Sequence, residues 1–210
     1  MVNHITVKDG LESNNIRCLT SDAYGRIWIG YHEGAIGGTN ISTTCTQVIP
    51  PVGPYLGSNM GSRISKIDWD GVRTTVADNL PSTITQPVAG SEISGVTDIA
   101  FIGNTLYGIL AGAGCSHGVP DIPNGVFKVN SDKTWTIVAN SSAFLMNNPV
   151  AHSDPDDFEP DGTAYSMVNV VGNPPFSHEM NSEANVLALF KFQSSYYCKA
   201  LLQGRFKTVA

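Results

Sequence analysis

Apolar positions along this chain come in short runs that alternate with polar ones or are briefly continuous, each closed by turn-forming residues. Ile16 to Tyr31 reads IRCLTS, then DAYG, then RIWIGY; Gly95 to Ala111 reads GVTDIAFI, then GN, then TLYGILA. No window sustains apolar residues at spacings of three and four. The pattern therefore predicts strands and hairpins rather than long amphipathic helices.

Two self-similarities organise these hairpins. ISKIDWDGVRTTVAD (Ile64 to Asp78) aligns with VFKVNSDKTWTIVAN (Val126 to Asn140) at an offset of sixty-two, matching Lys66/Lys128, Asp70/Asp132, Thr74/Thr136, Val76/Val138 and Ala77/Ala139. ITVKDGLES (Ile5 to Ser13) returns as TTVADNLPS (Thr74 to Ser82), and IVANSSAF (Ile137 to Phe144) is a degraded third copy. Each aligned hairpin follows a different hairpin, so the unit is strand a, turn, strand b, insertion, strand c, turn, strand d. Four short antiparallel strands at a fixed period are the signature of a β-propeller blade, which must pack on its neighbours to bury both faces. A β-sandwich is the competing reading, disfavoured because two alignments converge on one period.

The expected organisation is an all-β, partial β-propeller of four-stranded antiparallel blades over residues 1–173. It has a leading d strand at 4–8, blades at 15–78 and 95–140, and a third blade beginning at 163–173. A partial match at Leu189 to Ser195 brings the count to about three, against roughly four to eight blades in closed propellers. The chain thus reads as a fragment or as a piece that closes by self-association. Residues 174–210 hold 4 of the 12 basic but only 2 of the 18 acidic residues; that change of sign marks a divergent third blade or an atypical tail.

Charge and composition narrow the function classes. A net charge of −6 lacks the basic footprint that nucleic acid requires, and no apolar run is long enough to span a bilayer. MVNHITVKDG has no apolar core of the signal-peptide kind. Four cysteines without a CxxC pair do not make a zinc site.

Candidate chemistry follows from strand order. The a–b and c–d turns share one end of the blades and are short. The b–c and d–a connections share the other and are long: His32 to Ser62, Asn79 to Ser94, Gly112 to Asn124 and Asn140 to Gly162. Long loops on a rigid scaffold are where function concentrates, so this face is expected to bind a small molecule or a protein. LAGAGCSHGVPDIPNG (Leu110 to Gly125) puts His117 at an apex, where an exposed imidazole would serve as general base, ligand or hydrogen-bond partner; a histidine pinning a tight loop is an equal reading. NPVAHSDPDDFEPDGTAYSMV (Asn148 to Val168) crowds Asp154, Asp156, Asp157, Glu159 and Asp161 beside His152. It reads first as a solvated acidic loop, second as a calcium site, with Asp154, Asp156 and Asp161 as metal ligands, and third as catalytic carboxylates. No cofactor other than calcium is implied. Cys45 and Cys115 fall in successive b–c insertions at the same end, where a disulfide would join two loops in an oxidising compartment. Cys18, inside a strand, reads as a small buried apolar residue.

The stretches CTQVIPPVGPY, SRISKIDWDGVRTTVADNLPS, SGVTDIAFIGNTLYGILAGAGCSHGVPDIPNGVFKVN and NPVAHSDPDDFEPDGTAYSMV resemble the ScyD/ScyE family, propeller proteins associated with the scytonemin cluster. GLESNNIRCLTSDAYGRIWIG also resembles the propeller repeats of two-component regulators. The first resemblance implies a six-bladed type of propeller and an extracellular or periplasmic location. It implies no settled activity and no residue roles. PPFSHEMNSE departs from the family's continuation past Gly172. Two functions follow as expectations. One is an extracytoplasmic binding or accessory protein using the loop-rich face, where His117, His152, Asp157 and Glu159 would contact ligand. The other is a metal-assisted lyase or lactone hydrolase with His117 and Glu159 as catalytic residues.

Overall fold

The structure is a computed structural model and describes residues 6–11, 16–32, 48–49, 53–84, 93–147, 164–170, 185–192, 195–202 and 205–208. Strands β1 (Ile16–Ser21), β2 (Ile27–His32), β5 (Leu56–Ile67), β6 (Arg73–Ile84) and β7 (Ile93–Ser94) form one sheet in the order β1-β2-β5-β6-β7. A small hairpin, β3 (Val48–Ile49) with β4 (Gly53–Pro54), lies within the β2–β5 insertion. The second sheet holds β8 (Val96–Ile102), β9 (Thr105–Leu110), β10 (Gly125–Val129) and β11 (Trp135–Asn140) in simple succession, followed by helix α1 (Ser141–Asn147). The third runs β12 (Ala164–Val170), β13 (Asn185–Phe192), β14 (Ser195–Leu202), β15 (Arg205–Thr208). Pairing within each sheet is antiparallel. Strand β8 packs against both β1 and β12, so the first strands of the three sheets converge. The chain is an all-β, partial propeller.

The middle blade shows why its strands carry apolar residues at consecutive positions. Successive side chains on a strand point to opposite faces. Leu106, Leu110 and Phe127 face the first blade, in one cluster with Ile64, Ala77, Leu80, Val96 and Ile99. Ile109 and Val126, their chain neighbours, pack with Ala139 and Met167 on the other side. A sheet buried on both faces needs apolar residues at every position, not every second one. A side chain at Gly108 would run into the Phe127 ring, so glycine here lets that ring lie flat across the sheet.

The sequence repeats prove to be repeats of backbone shape. Gly71 and Lys133, sixty-two apart, both take positive φ (80° and 69°) in their turns. Around them the same bonds recur: Asp68 N to Val72 O and Asn130 N to Thr134 O, with Asp70 and Asp132 each accepting from the amide two residues on, at 3.1 Å in both. Gly10 (φ 100°) and Asn79 (φ 55°), sixty-nine apart, are likewise both left-handed, and each precedes a buried leucine, Leu11 and Leu80. The echoed stretch therefore encodes a kink that drops a leucine against a sheet.

Three local expectations are corrected. Within the expected leading strand, residues 4 and 5 lie outside the described residues. Val7–Asp9 is a 3-10 helix, because Thr6 and Asp9 satisfy each other's backbone in a capping box. Ser141 to Phe144 is helix rather than strand continuation: Asn140 Oδ1 caps it by accepting from Ala143 N at 2.8 Å. Parts of two expected long loops are strand, since β5 begins at Leu56 and β6 runs to Ile84, extending one hairpin beyond its sheet. LGSNMGS escapes a periodicity reading because its pairing is interrupted by register shifts and buries serines, not apolar side chains.

The opposite, short-turn end is held by charge. Burial opposes ionisation of Asp22, but hydrogen bonds from Trp28 Nε1 (3.0 Å), Arg26 Nε (2.6 Å) and the amides of Arg26 and Tyr24 outweigh it, lowering its pKa from 3.8 to about 2. A depressed carboxylate contributes stability that is complete above its unfolded pKa and is lost as pH falls from 3.8 towards 2. Asp22→Asn is therefore expected to melt lower than the parent at pH 7, with the two melting temperatures converging by pH 2. A gap that stays constant across that range would contradict the assignment.

Candidate functional site

At the insertion end the β9–β10 connection folds into a closed loop. Gly114 N donates to Ile122 O (2.7 Å), Val119 N to Gly114 O (2.9 Å) and Gly118 N to Cys115 O (3.1 Å). Its base is tied by Asn124: Oδ1 accepts from Ala113 N at 2.8 Å, the amide donates to Ser142 Oγ at 3.0 Å, and the carbonyl accepts from Ser141 N at 2.9 Å. The insertion of the second blade is thereby locked to the helix that follows the same blade.

The loop also docks on the first blade. Thr83, on the extended part of β6, places its hydroxyl 3.0 Å from the His117 carbonyl and 3.2 Å from that of Leu56. Gly57 lies so close that a Cβ there would sit 2.6 Å from the backbone of His117 and Gly118. The serines and glycines of the β5–β6 extension are thus the means by which two backbones approach. Apolar side chains would hold them apart.

His117 does not stand exposed at an apex. It is 1% exposed, its ring tilted against Tyr55 with centroids 4.7 Å apart, and Nδ1 lies 3.1 Å from Ser116 Oγ. The imidazole pins the loop between two blades. Cys115 is disulfide-bonded; Cys45, the expected partner, lies outside the described residues. So do His152, Asp154, Asp156, Asp157, Glu159 and Asp161. Among the described residues no group of three or more His, Cys, Asp or Glu side chains is placed to hold a metal ion, and no helix is long and apolar enough to cross a membrane.

A second constellation, not anticipated from sequence, sits where the inner strands meet. Each inner strand has a register irregularity at the same place: Ile16/Cys18, Val96/Asp98 and Ala164/Ser166. The residues just past it, Cys18, Asp98 and Ser166, occupy equivalent positions in the three blades. Asp98 Oδ2 accepts from Met167 N at 2.6 Å and from Ser166 Oγ at 3.1 Å, while Oδ1 accepts from its neighbour Ile99 N at 2.9 Å. Cys18 is a free thiol. Burial and the charge of Asp98 push its pKa up to about 12, against the opposing amides of Gly30 and Ile99. It is a neutral, unreactive thiol at physiological pH. The visible signal was one acidic residue inside the apolar run VTDIAFI; what it touches lies sixty-eight residues away.

Comparison with known proteins agrees with this architecture. Residues 10–33, covering Leu11, β1, its turn and β2, match the family model described as "Two component regulator propeller". No curated protein and no solved structure matches the chain. The fold and this match define a propeller-repeat protein.

The docked insertion makes a direct expectation. Gly57→Val is expected to cost about 1–3 kcal/mol by overpacking against the backbone of the His117 loop, read as a lower urea midpoint. An unchanged midpoint would show that the two insertions are not in contact.

Proposed function

We propose that this protein is an extracytoplasmic binding or accessory scaffold of the ScyD/ScyE type, which holds a small molecule or a protein on its insertion end. The observation that carries this reading is the asymmetry of the two ends. Turns such as Asp22–Arg26 and Asp68–Val72 are short and self-satisfied, whereas the insertions of successive blades are docked on one another through Gly57, Thr83 and the His117 loop. Ordering that much loop backbone is entropically costly, and a preorganised surface is what binding gains from it.

The disulfide at Cys115 supports an oxidising compartment. With Cys18 free, Cys45 is the partner favoured by its place in the preceding insertion. The metal-assisted lyase or hydrolase reading draws less support, because His117 is buried among the described residues. Calcium on the acidic loop (Asp154, Asp156, Asp161) belongs to that second reading.

Thermal melting separates them. A panel of small carboxylates, aromatic amines and saccharides is screened against the parent, Asp121→Lys on the insertion end and Trp69→Ala on the turn end. A binder at 100-fold excess over its Kd adds about 2.7 kcal/mol, and its shift should vanish in Asp121→Lys but persist in Trp69→Ala. The reverse pattern would contradict the assigned face. A melt raised by calcium chloride and lowered by EDTA, with hydrolysis of a lactone lost in Glu159→Ala, would favour the enzyme.

A further inference from the structure

The β5–β6 hairpin changes character at one level. At Ile64 and Leu80 it still belongs to the apolar cluster shared with the second blade. Beyond that level, residues 56–61 of β5 and 81–84 of β6 form an arm, which β7 joins through the pairs Thr83/Ser94 and Ile84/Ile93. What the arm buries is small: Gly57, Ser58, Gly61, Pro81, Ser82 and Thr83, none of them in an apolar cluster of the described residues. Segments with little apolar burial open at low cost, and the elements that move are drawn from them. The three strands of the arm also meet the body of the protein at one joint. On β5, register shifts flank Ser62. On β6, Asn79 is left-handed (φ 55°) just before Leu80, the partner of Ser62. Between β7 and β8 stands Gly95, where a Cβ would run into Ser62 Oγ. Ser62 is 1% exposed, yet its hydroxyl has no hydrogen-bond partner among the described residues. A buried hydroxyl left without a partner favours any movement that lets water reach it.

We infer that this arm is a hinged gate, turning about Ser62, Asn79 and Gly95, and that it governs access to Ser116 and His117. In the closed form Thr83 donates to the His117 carbonyl at 3.0 Å, and Gly57 lies against the backbone of His117 and Gly118. Tyr55, which leads into the arm, lays its ring on the imidazole. Beneath them Ser116 Oγ and His117 Nδ1 stand 3.1 Å apart, each residue 1% exposed. Opening gives up those contacts and hydrates Ser62 Oγ. An arm that swings as a unit keeps its β5–β6–β7 pairing, and the cluster at Ile64 and Leu80 stays shut. Hinge motions of this kind concentrate the change in a few residues at the ends of elements, often small ones, and serine and glycine stand at this joint. The hydroxyl–imidazole pair is then presented to solvent only while the arm is open.

This motion does not depend on what the insertion end binds, and its test uses no ligand. His117 is labelled with diethylpyrocarbonate in the full chain, at urea concentrations below the unfolding transition, and the label is located by peptide mass spectrometry. Amide exchange of β10 in the same samples reports global opening. The expected result is slow labelling of His117 at a rate that stays level across that range while β10 exchange speeds up, because a local opening exposes little surface. Thr83→Val should raise the labelling rate about fivefold, the worth of one net hydrogen bond. Ser62→Ala should lower it about as much, by removing the unpartnered hydroxyl from the joint. The two variants push in opposite directions, so damage to the fold by one would not imitate the pattern. Labelling of His117 that climbs with urea in step with β10 exchange, or a level rate that neither variant alters, would overturn the gate.

Discussion

A single sheet of this protein cannot stand alone; each depends on having another laid across it at the inner strands. The second blade buries Leu110 and Phe127 to one side and Ile109 and Val126 to the other, so neither face is a surface. At the point where the inner strands converge, a carboxylate takes over from apolar packing. Asp98 ties its own amide neighbour and the backbone of the next inner strand together. A charged acceptor on a backbone donor in a partly desolvated place is among the stronger hydrogen bonds available, about 1.5–3 kcal/mol. It also fixes register, because only one residue of β12 presents its amide at that height.

From this stacking follows the division of labour between the two ends. The turns joining β1 to β2, β5 to β6 and β10 to β11 are compact, and in each an Asp accepts from a nearby amide, leaving little that could reach a ligand. On the other side the chain must cross to the next strand or the next blade, and there it elaborates. The elaborations are not loose: glycine, serine and threonine let the β5–β6 extension and the His117 loop touch backbone to backbone. A histidine with Tyr55 and Ser116 around it is part of that joint.

Much of the fold was legible in the sequence because its repeats act locally. A turn with Asp70 and Gly71, or Asp132 and Lys133, announces itself by short-range chemistry, and so does a left-handed residue before Leu11 or Leu80. Strand content was likewise plain from continuous apolar runs. What escaped depended on distant partners. LGSNMGS looked like loop, yet pairs with β6 because the surface above it is the backbone of another insertion. Thr6 with Asp9 and Asn140 with Ala143 turned two expected strand segments into helical ones through caps that compete with sheet pairing. His117 could be read either as an exposed apex or as a pin for a tight loop, since nothing local predicts Tyr55 beside it, and Asp98 carried no sign of which amide it would meet.

The most direct test of this account is site-resolved amide hydrogen exchange on the parent and on Asp98→Ala. The Met167 amide should be protected in the parent. In the variant its protection should fall at least about tenfold, as loss of a bond worth about 1.5–3 kcal/mol requires, while the β10 amides inside the second blade keep theirs. Unchanged protection of Met167 would mean that the blades are not joined at Asp98, and the stacking described here would be wrong.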